Sequence, residues 1–141
     1  MIAAVAAAGG CHAPHDDPFV APEGSCELMG DFEVPADVAP IGVLAYRLGA
    51  GMIAEIDLEV GDAAQLFSRF EAAGTPVDWD LHTHAADGAV IVHEEGSGAV
   101  GTVARDGLEA DLYSLAYSGR GPVEATLCVG VYGSDDVSIV P

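Results

Sequence analysis

From Ile41 to the C-terminus, Gly and Asp cut the chain into short apolar or alternating runs, and this rhythm limits the fold more than any other feature. The runs cover about 41–48, 52–60, 63–71, 76–84, 89–95, 99–105, 109–117 and 123–132, with a last short piece at 136–140. Turn signals recurring roughly every eight to twelve residues, without a sustained helical period, are the signature of a sandwich or barrel. The predicted class is therefore all-β: a single antiparallel β-sandwich of about eight strands over residues 41–141. In Ile53 to Val60 the residues Ala54, Ile56, Leu58 and Val60 alternate with Glu55, Asp57 and Glu59, so one face is apolar and the acids read as a solvated face. Residues 63–73 also admit a helical stripe through Leu66, Phe67 and Phe70. Gly61-Asp62 and Gly74-Thr75-Pro76 bracket them as turns, and a strand is expected.

At 141 residues the chain has room for one core and one domain. Half its residues are hydrophobic, so it is expected to fold despite a net charge of −19. Four arginines and no lysine are too few to neutralise a run of phosphates, which excludes nucleic acid as a partner, and an anionic membrane surface would repel the protein. The acidic excess itself has three readings: solubility, a salty habitat that screens the repulsion, or a surface that collects cations. No apolar run reaches the roughly 18 to 20 residues of a bilayer span.

Two segments precede the sandwich. Residues 1–11 comprise the apolar run Met1 to Ala8 followed by Gly9, Gly10 and Cys11. This resembles the end of a bacterial lipoprotein signal peptide, which implies lipidation at Cys11, a membrane tether, and a place in the cell envelope, periplasmic or on the outer surface. No Lys or Arg precedes Cys11 and the run is short, so a simple Ala-rich terminus is the other reading. Residues 12–40 hold most of the prolines with scattered acids and read as a tether. With Cys11 set aside, Cys26 and Cys128 form an even pair. A disulfide between them would close a loop of about 100 residues, worth about 4.7 kcal/mol in the chain-entropy account. The alternative is two free cysteines, with Cys128 buried as a small hydrophobe.

The order of Val60-Gly61-Asp62, Trp79-Asp80-Leu81, Asp87-Gly88, Leu112-Tyr113-Ser114-Leu115 and Val123 to Val131 resembles the bacterial pre-peptidase C-terminal and Golgi-dynamics (GOLD) β-sandwiches over about residues 48–133. That resemblance implies an extracytoplasmic accessory or binding module, with no catalytic residues to carry over. Trp79-Asp80-Leu81-His82-Thr83-His84 with His93-Glu94-Glu95-Gly96 is also similar to a pairing in small bacterial envelope proteins, to which no activity attaches.

Three of the five histidines lie in one predicted hairpin. Asp87-Gly88 between two strand-like runs predicts a two-residue type I′ turn, with Ala86 opposite Ala89. In that register Leu81 faces Glu94, Thr83 faces Val92 and Ala85 faces Val90 on the apolar side, with Trp79 packing between the sheets. The other side sets His82 opposite His93, Asp80 opposite Glu95, and His84 opposite Ile91. Opposed Cβ atoms lie roughly 4.5 to 5.5 Å apart, and His82 and His84 about 6.5 Å apart along their strand. His82, His84 and His93 would then converge on a divalent metal ion, zinc or copper(II), with Asp80, Glu95 or water in the fourth position. A bound water with its pKa lowered toward about 7, and Glu94 or Glu95 as base, would make a hydrolase. No long loop builds a cleft for one, so a non-enzyme is favoured. An exposed histidine ladder is the alternative to any metal site.

Other residues point nowhere specific. Ser97 lies between Gly96 and Gly98 without the nucleophile-elbow pattern, and no Lys or helix follows the glycines at 96, 98 and 101 to make a phosphate loop. Asp135 and Asp136 fall far short of a calcium cage, and Tyr113, Tyr117 and Tyr132 read as core or sheet-face aromatics. Two functions remain from the sequence: an exported metal-binding module, or a non-catalytic structural or interaction sandwich whose histidines are incidental.

Overall fold

The computed structural model describes residues 18–141, so Cys11 and the segment 1–11 lie outside the described residues. Nine strands follow one another: β1 (Ala39–Leu48), β2 (Ile53–Val60), β3 (Ala64–Ala73), β4 (Val77–His84), β5 (Val90–Gly98), β6 (Val100–Leu108), β7 (Asp111–Gly119), β8 (Ala125–Gly133) and β9 (Val137–Ile139). Each predicted run is a strand with its ends moved by three residues or fewer, and 64–73 is β3, not a helix. The strands form two antiparallel sheets, a four-stranded one in the order β1-β8-β3-β6 and a five-stranded one in the order β5-β4-β7-β2-β9. Apart from β9 this is the double Greek-key order of a jelly roll. Among the described residues the chain changes sheet at every connection between strands except β4 to β5, which makes that pair the one hairpin within a sheet there.

Alternation builds the core. Ala54, Ile56, Leu58 and Val60 of β2 face Tyr113, Leu115 and Tyr117 of β7 and Val77 and Leu81 of β4 across the interior from Leu66 and Phe70 of β3 and Leu127, Val129 and Val131 of β8. Buried apolar side chains are worth about 1.5 to 3 kcal/mol each against exposure, so a one-residue slip of any of these strands would forfeit several of them. Two polar groups inside are satisfied: Ser68 Oγ donates to the Gly130 carbonyl at 2.9 Å, and Tyr113 Oη donates to the Glu109 carbonyl at 3.0 Å.

The tether-like composition of residues 12–40 conceals a packed segment: Pro18 and Val20 bond Ile53 of β2 in the five-stranded sheet, and from Glu23 onward the chain runs as a strap over the edge and outer face of the four-stranded sheet. Cys26 is disulfide-bonded to Cys128 of β8, 102 residues away. The Glu71 carboxylate of β3 accepts from the backbone N–H of Met29 at 2.6 Å and of Gly30 at 2.9 Å. These bonds and the adjacent Arg69 hold its carboxyl below the usual carboxylate range, the Met29 bond being the largest cause. Phe32 stacks on Phe67 at 6.2 Å, meets Tyr132 edge-on at 6.4 Å, and lies under the Arg69 guanidinium at 4.8 Å. The strap explains why β8 reads as a continuous apolar run: Leu127, Val129 and Val131 face the core while Cys128 and Gly130 lie beneath the strap, all of them buried. It also caps the outer edge of β1, where the Ala45 N–H donates to the Gly24 carbonyl at 3.0 Å and Glu23 N–H donates to the Ala45 carbonyl at 2.7 Å.

Replacing Cys26 and Cys128 together by Ser is expected to lower the unfolding free energy by about 2 to 5 kcal/mol in urea titrations. An unchanged midpoint would show that the strap holds without its covalent link.

Candidate functional site on the outer face of the five-stranded sheet

The β4–β5 hairpin does not turn as its Asp-Gly pair predicts. The Ala85 N–H donates to the Ala89 carbonyl and the Gly88 N–H to the Ala85 carbonyl, both at 2.8 Å, so the loop is Ala86-Asp87-Gly88 with Gly88 in the left-handed region at φ 90°. Asp87 Oδ1 accepts from the Ala89 N–H at 3.0 Å and steadies it. This three-residue loop of the G1-bulge kind offsets the pairing by one residue. His84 then lies opposite Val90, Thr83 opposite Ile91, and His82 opposite Val92. Beyond Leu81 the register shifts back, so that Leu81 faces Glu94, Asp80 faces Glu95 and Trp79 faces Gly96, the last three pairs falling where the sequence register put them. His93 is the extra residue of the resulting bulge.

That bulge undoes the expected metal site. His93 Nε2 hydrogen-bonds Thr83 Oγ1 at 2.8 Å and its ring lies 5.5 Å from that of buried Tyr113. Thr83 and Tyr113 belong to the inward face, opposite to His82 and His84. Among the described residues no group of three or more His, Cys, Asp or Glu side chains is placed to hold a metal ion. The three-histidine centre of His82, His84 and His93 with Asp80 and Glu95 is therefore not formed, and zinc or copper(II) has no such ligand set here.

A different constellation occupies the outer face. Registers across β5, β4, β7 and β2 lay it out in rows: Val92, His82, Ser114 and Asp57; then Glu95, Asp80, Ala116 and Glu55; then Ser97, Asp78, Ser118 and Ile53. His82 is buried, its Nδ1–H donates to Asp80 Oδ1 at 2.5 Å, and its ring meets that of His84 edge-on at 5.1 Å. Ser114 Oγ donates to Asp57 Oδ1 at 2.8 Å. The hydrogen bond to Asp80 outweighs burial and raises the His82 pKa, with the Asp80, Glu55 and Asp57 charges adding to it. Glu55 is pushed up to about 7, first by burial, then by the Asp57 charge and by donating its proton to Asp57. Glu55 thus keeps its proton up to about neutrality beside the raised His82. Glu55, Asp57 and Ser114 were not candidates in the sequence. The period-2 pattern puts Glu55 and Asp57 on one face of β2, but only the interposition of β7 between β2 and β4 brings them near His82.

No protein-family model and no curated protein matches this chain.

Folded Glu55 binds a proton more tightly than an ordinary carboxyl at 4.5, so between about pH 4.5 and 7 the native state carries more protons than the unfolded one. Stability contributed by this proton is present at low pH and is lost as pH rises through about 7; raised His82 acts in the same sense above its ordinary 6.5. Glu55→Gln is expected to match the parent melting temperature near pH 5 and to exceed it at pH 8. A difference that does not vary with pH would contradict the assignment.

Proposed function

We propose that this protein is an exported interaction domain of the cell envelope, presenting the outer face of its five-stranded sheet and the β4–β5 hairpin to a partner protein. One observation carries the reading: the two outer faces are treated differently. The four-stranded sheet is covered by the disulfide-bonded strap. The five-stranded sheet carries Asp78, His84, Glu59, Glu95, Leu112, Val90 and Val92 exposed on its outer side. A sandwich needs neither outer face for its core, so a face left open with both apolar and charged groups is available for recognition.

The disulfide supports an oxidising compartment, since such bonds are rare in reducing cytosol. The lipoprotein-like run ending at Cys11 and the resemblance to extracytoplasmic accessory sandwiches point the same way. All four arginines are already engaged with acids, in the pairs Arg47–Glu23, Arg69–Glu71, Arg105–Glu94 and Arg120–Asp78. The remaining carboxylates give the domain a strongly negative field, which speeds encounter with cationic surfaces and rejects anionic ones.

A photo-crosslinking side chain at Ser118, on the open face, is expected to give a discrete protein adduct in the cells that make this protein. The same group at Thr126, on the outer side of β8, is expected to give none. Equal adducts from both positions, or none from Ser118, would contradict the reading.

A further inference from the structure

The two sheets have four edges, and three are guarded. The edge of β1 is capped by Glu23 and Gly24 of the strap. The edge strand β9 is three residues long. The edge strand β6 carries Arg105 and Asp106, is interrupted by Gly101 and Gly107, and pairs with β3 through an irregular register at Ala64. Short edges, charges and irregularities are the usual protections against pairing with another chain. The fourth edge is β5, nine residues long, and among the described residues it is laddered only to β4. Its hairpin end carries three consecutive apolar residues, Val90, Ile91 and Val92, exposed by 56, 45 and 46%. No Lys or Pro guards it.

Ladder alternation fixes the direction of the backbone groups. Ala85 bonds Ala89 across the hairpin, so Ile91 bonds toward β4 while the amides of Val90 and Val92 point away from it. The bulge at His93 twists the strand and confines the free apolar edge to residues 90–92. Acids bracket that stretch: Asp87 lies in the turn and Glu95 just past the bulge, both exposed. Glu95 has no cationic partner among the described residues, whereas neighbouring Glu94 lies 3.6 Å from Arg105.

We propose that the free edge of β5 at Val90 to Val92 receives, as an added antiparallel strand, an extended segment of a partner protein with an apolar centre and basic residues on either side. The inference rests on the interaction-domain reading and names its partner's chemistry. Backbone bonds from the outward amides supply affinity, the apolar centre covers the valines, and the basic flanks meet Asp87 and Glu95. A second copy of this chain fits poorly. Antiparallel pairing of two β5 edges about Ile91 would set Glu95 of one copy across from Asp87 of the other, twice, on molecules that each carry a charge of −19.

The test uses the intact purified protein and three synthetic peptides of about eight residues, each acetylated and amidated: one with a centre of valine and threonine flanked on both sides by lysines, its glutamate counterpart, and the lysine peptide N-methylated at alternate residues. Calorimetry measures affinity and amide chemical shifts locate the contact. The lysine peptide is expected to bind, to shift Val90 to Val92, and to weaken with added salt. N-methylation is expected to cost about tenfold or more by removing the inter-strand hydrogen bonds, and Glu95→Lys about threefold to tenfold by reversing one exposed charge. The glutamate peptide is expected not to bind. Equal affinity for the N-methylated peptide, or shifts confined to the face around Asp80 and Glu55, would overturn strand addition while leaving the interaction-domain reading in place. No binding of any peptide would overturn it as well, and the crosslinking result at Ser118 would still decide that reading separately. A dimer in sedimentation that is broken by Val92→Lys and tightened by Glu95→Lys would overturn it in favour of a second copy.

Discussion

The covalent tie between Cys26 and Cys128 is the constraint on which the arrangement of this molecule's surfaces depends. A sandwich has two outer faces, and closing a loop of 102 residues lays the N-terminal strap across one of them. The strap then adds noncovalent holds: the Glu71 carboxylate on two backbone amides, the Phe32 ring among Phe67 and Tyr132, and backbone bonds from Glu23 and Gly24 to the edge of β1. Each hold is modest, on the order of 1 kcal/mol for a hydrogen bond or a ring pair. Together they cover a face and guard an edge, and among the described residues the outer face of the five-stranded sheet is the exposed one.

Two glutamates register this division in opposite senses. Glu71, under the strap, is stabilised as a carboxylate, so its contribution is present above the ordinary glutamate range and is lost as pH falls through it. Glu55, on the open sheet, is held toward its protonated form by burial and by Asp57, and its contribution is lost as pH rises toward neutrality. Acidification therefore loosens the covered side and relieves the open one. His82 links the open-side acids into one unit, since its Nδ1–H bonds Asp80 while its charge lies near Glu55 and Asp57.

Much of the fold was legible because it rests on local signals. The apolar and alternating runs from Ile41 onward and their Gly and Asp punctuation mark about eight strands and a last short piece, with their approximate ends. The pairing of Asp80 with Glu95 and Leu81 with Glu94 was also legible from the Asp-Gly position. What escaped was a single residue of slack. Of the loop residues only Gly88 takes the left-handed conformation, the loop gains Ala86, and His93 becomes a bulge whose ring turns inward to Thr83. A hydrophobic pattern does not report a one-residue insertion compensated within the same hairpin, because both registers bury Leu81. The His82, Asp80, Glu55 and Asp57 cluster escaped for a different reason. It depends on strand order, with β7 set between β4 and β2, and order across a jelly roll is a property of the long connections. The strap escaped because its composition is that of a linker, while its ordering comes from distant partners on β3 and β8.

The division into a guarded and an open side is tested most directly by residue-resolved amide hydrogen exchange of the free protein under native conditions. The Ala45 amide, bonded to the Gly24 carbonyl on the edge of β1, is expected to exchange slowly, and the amides of Val90 and Val92 on the edge of β5 to exchange rapidly. Slow exchange at Val90 and Val92, or rapid exchange at Ala45, would contradict the account.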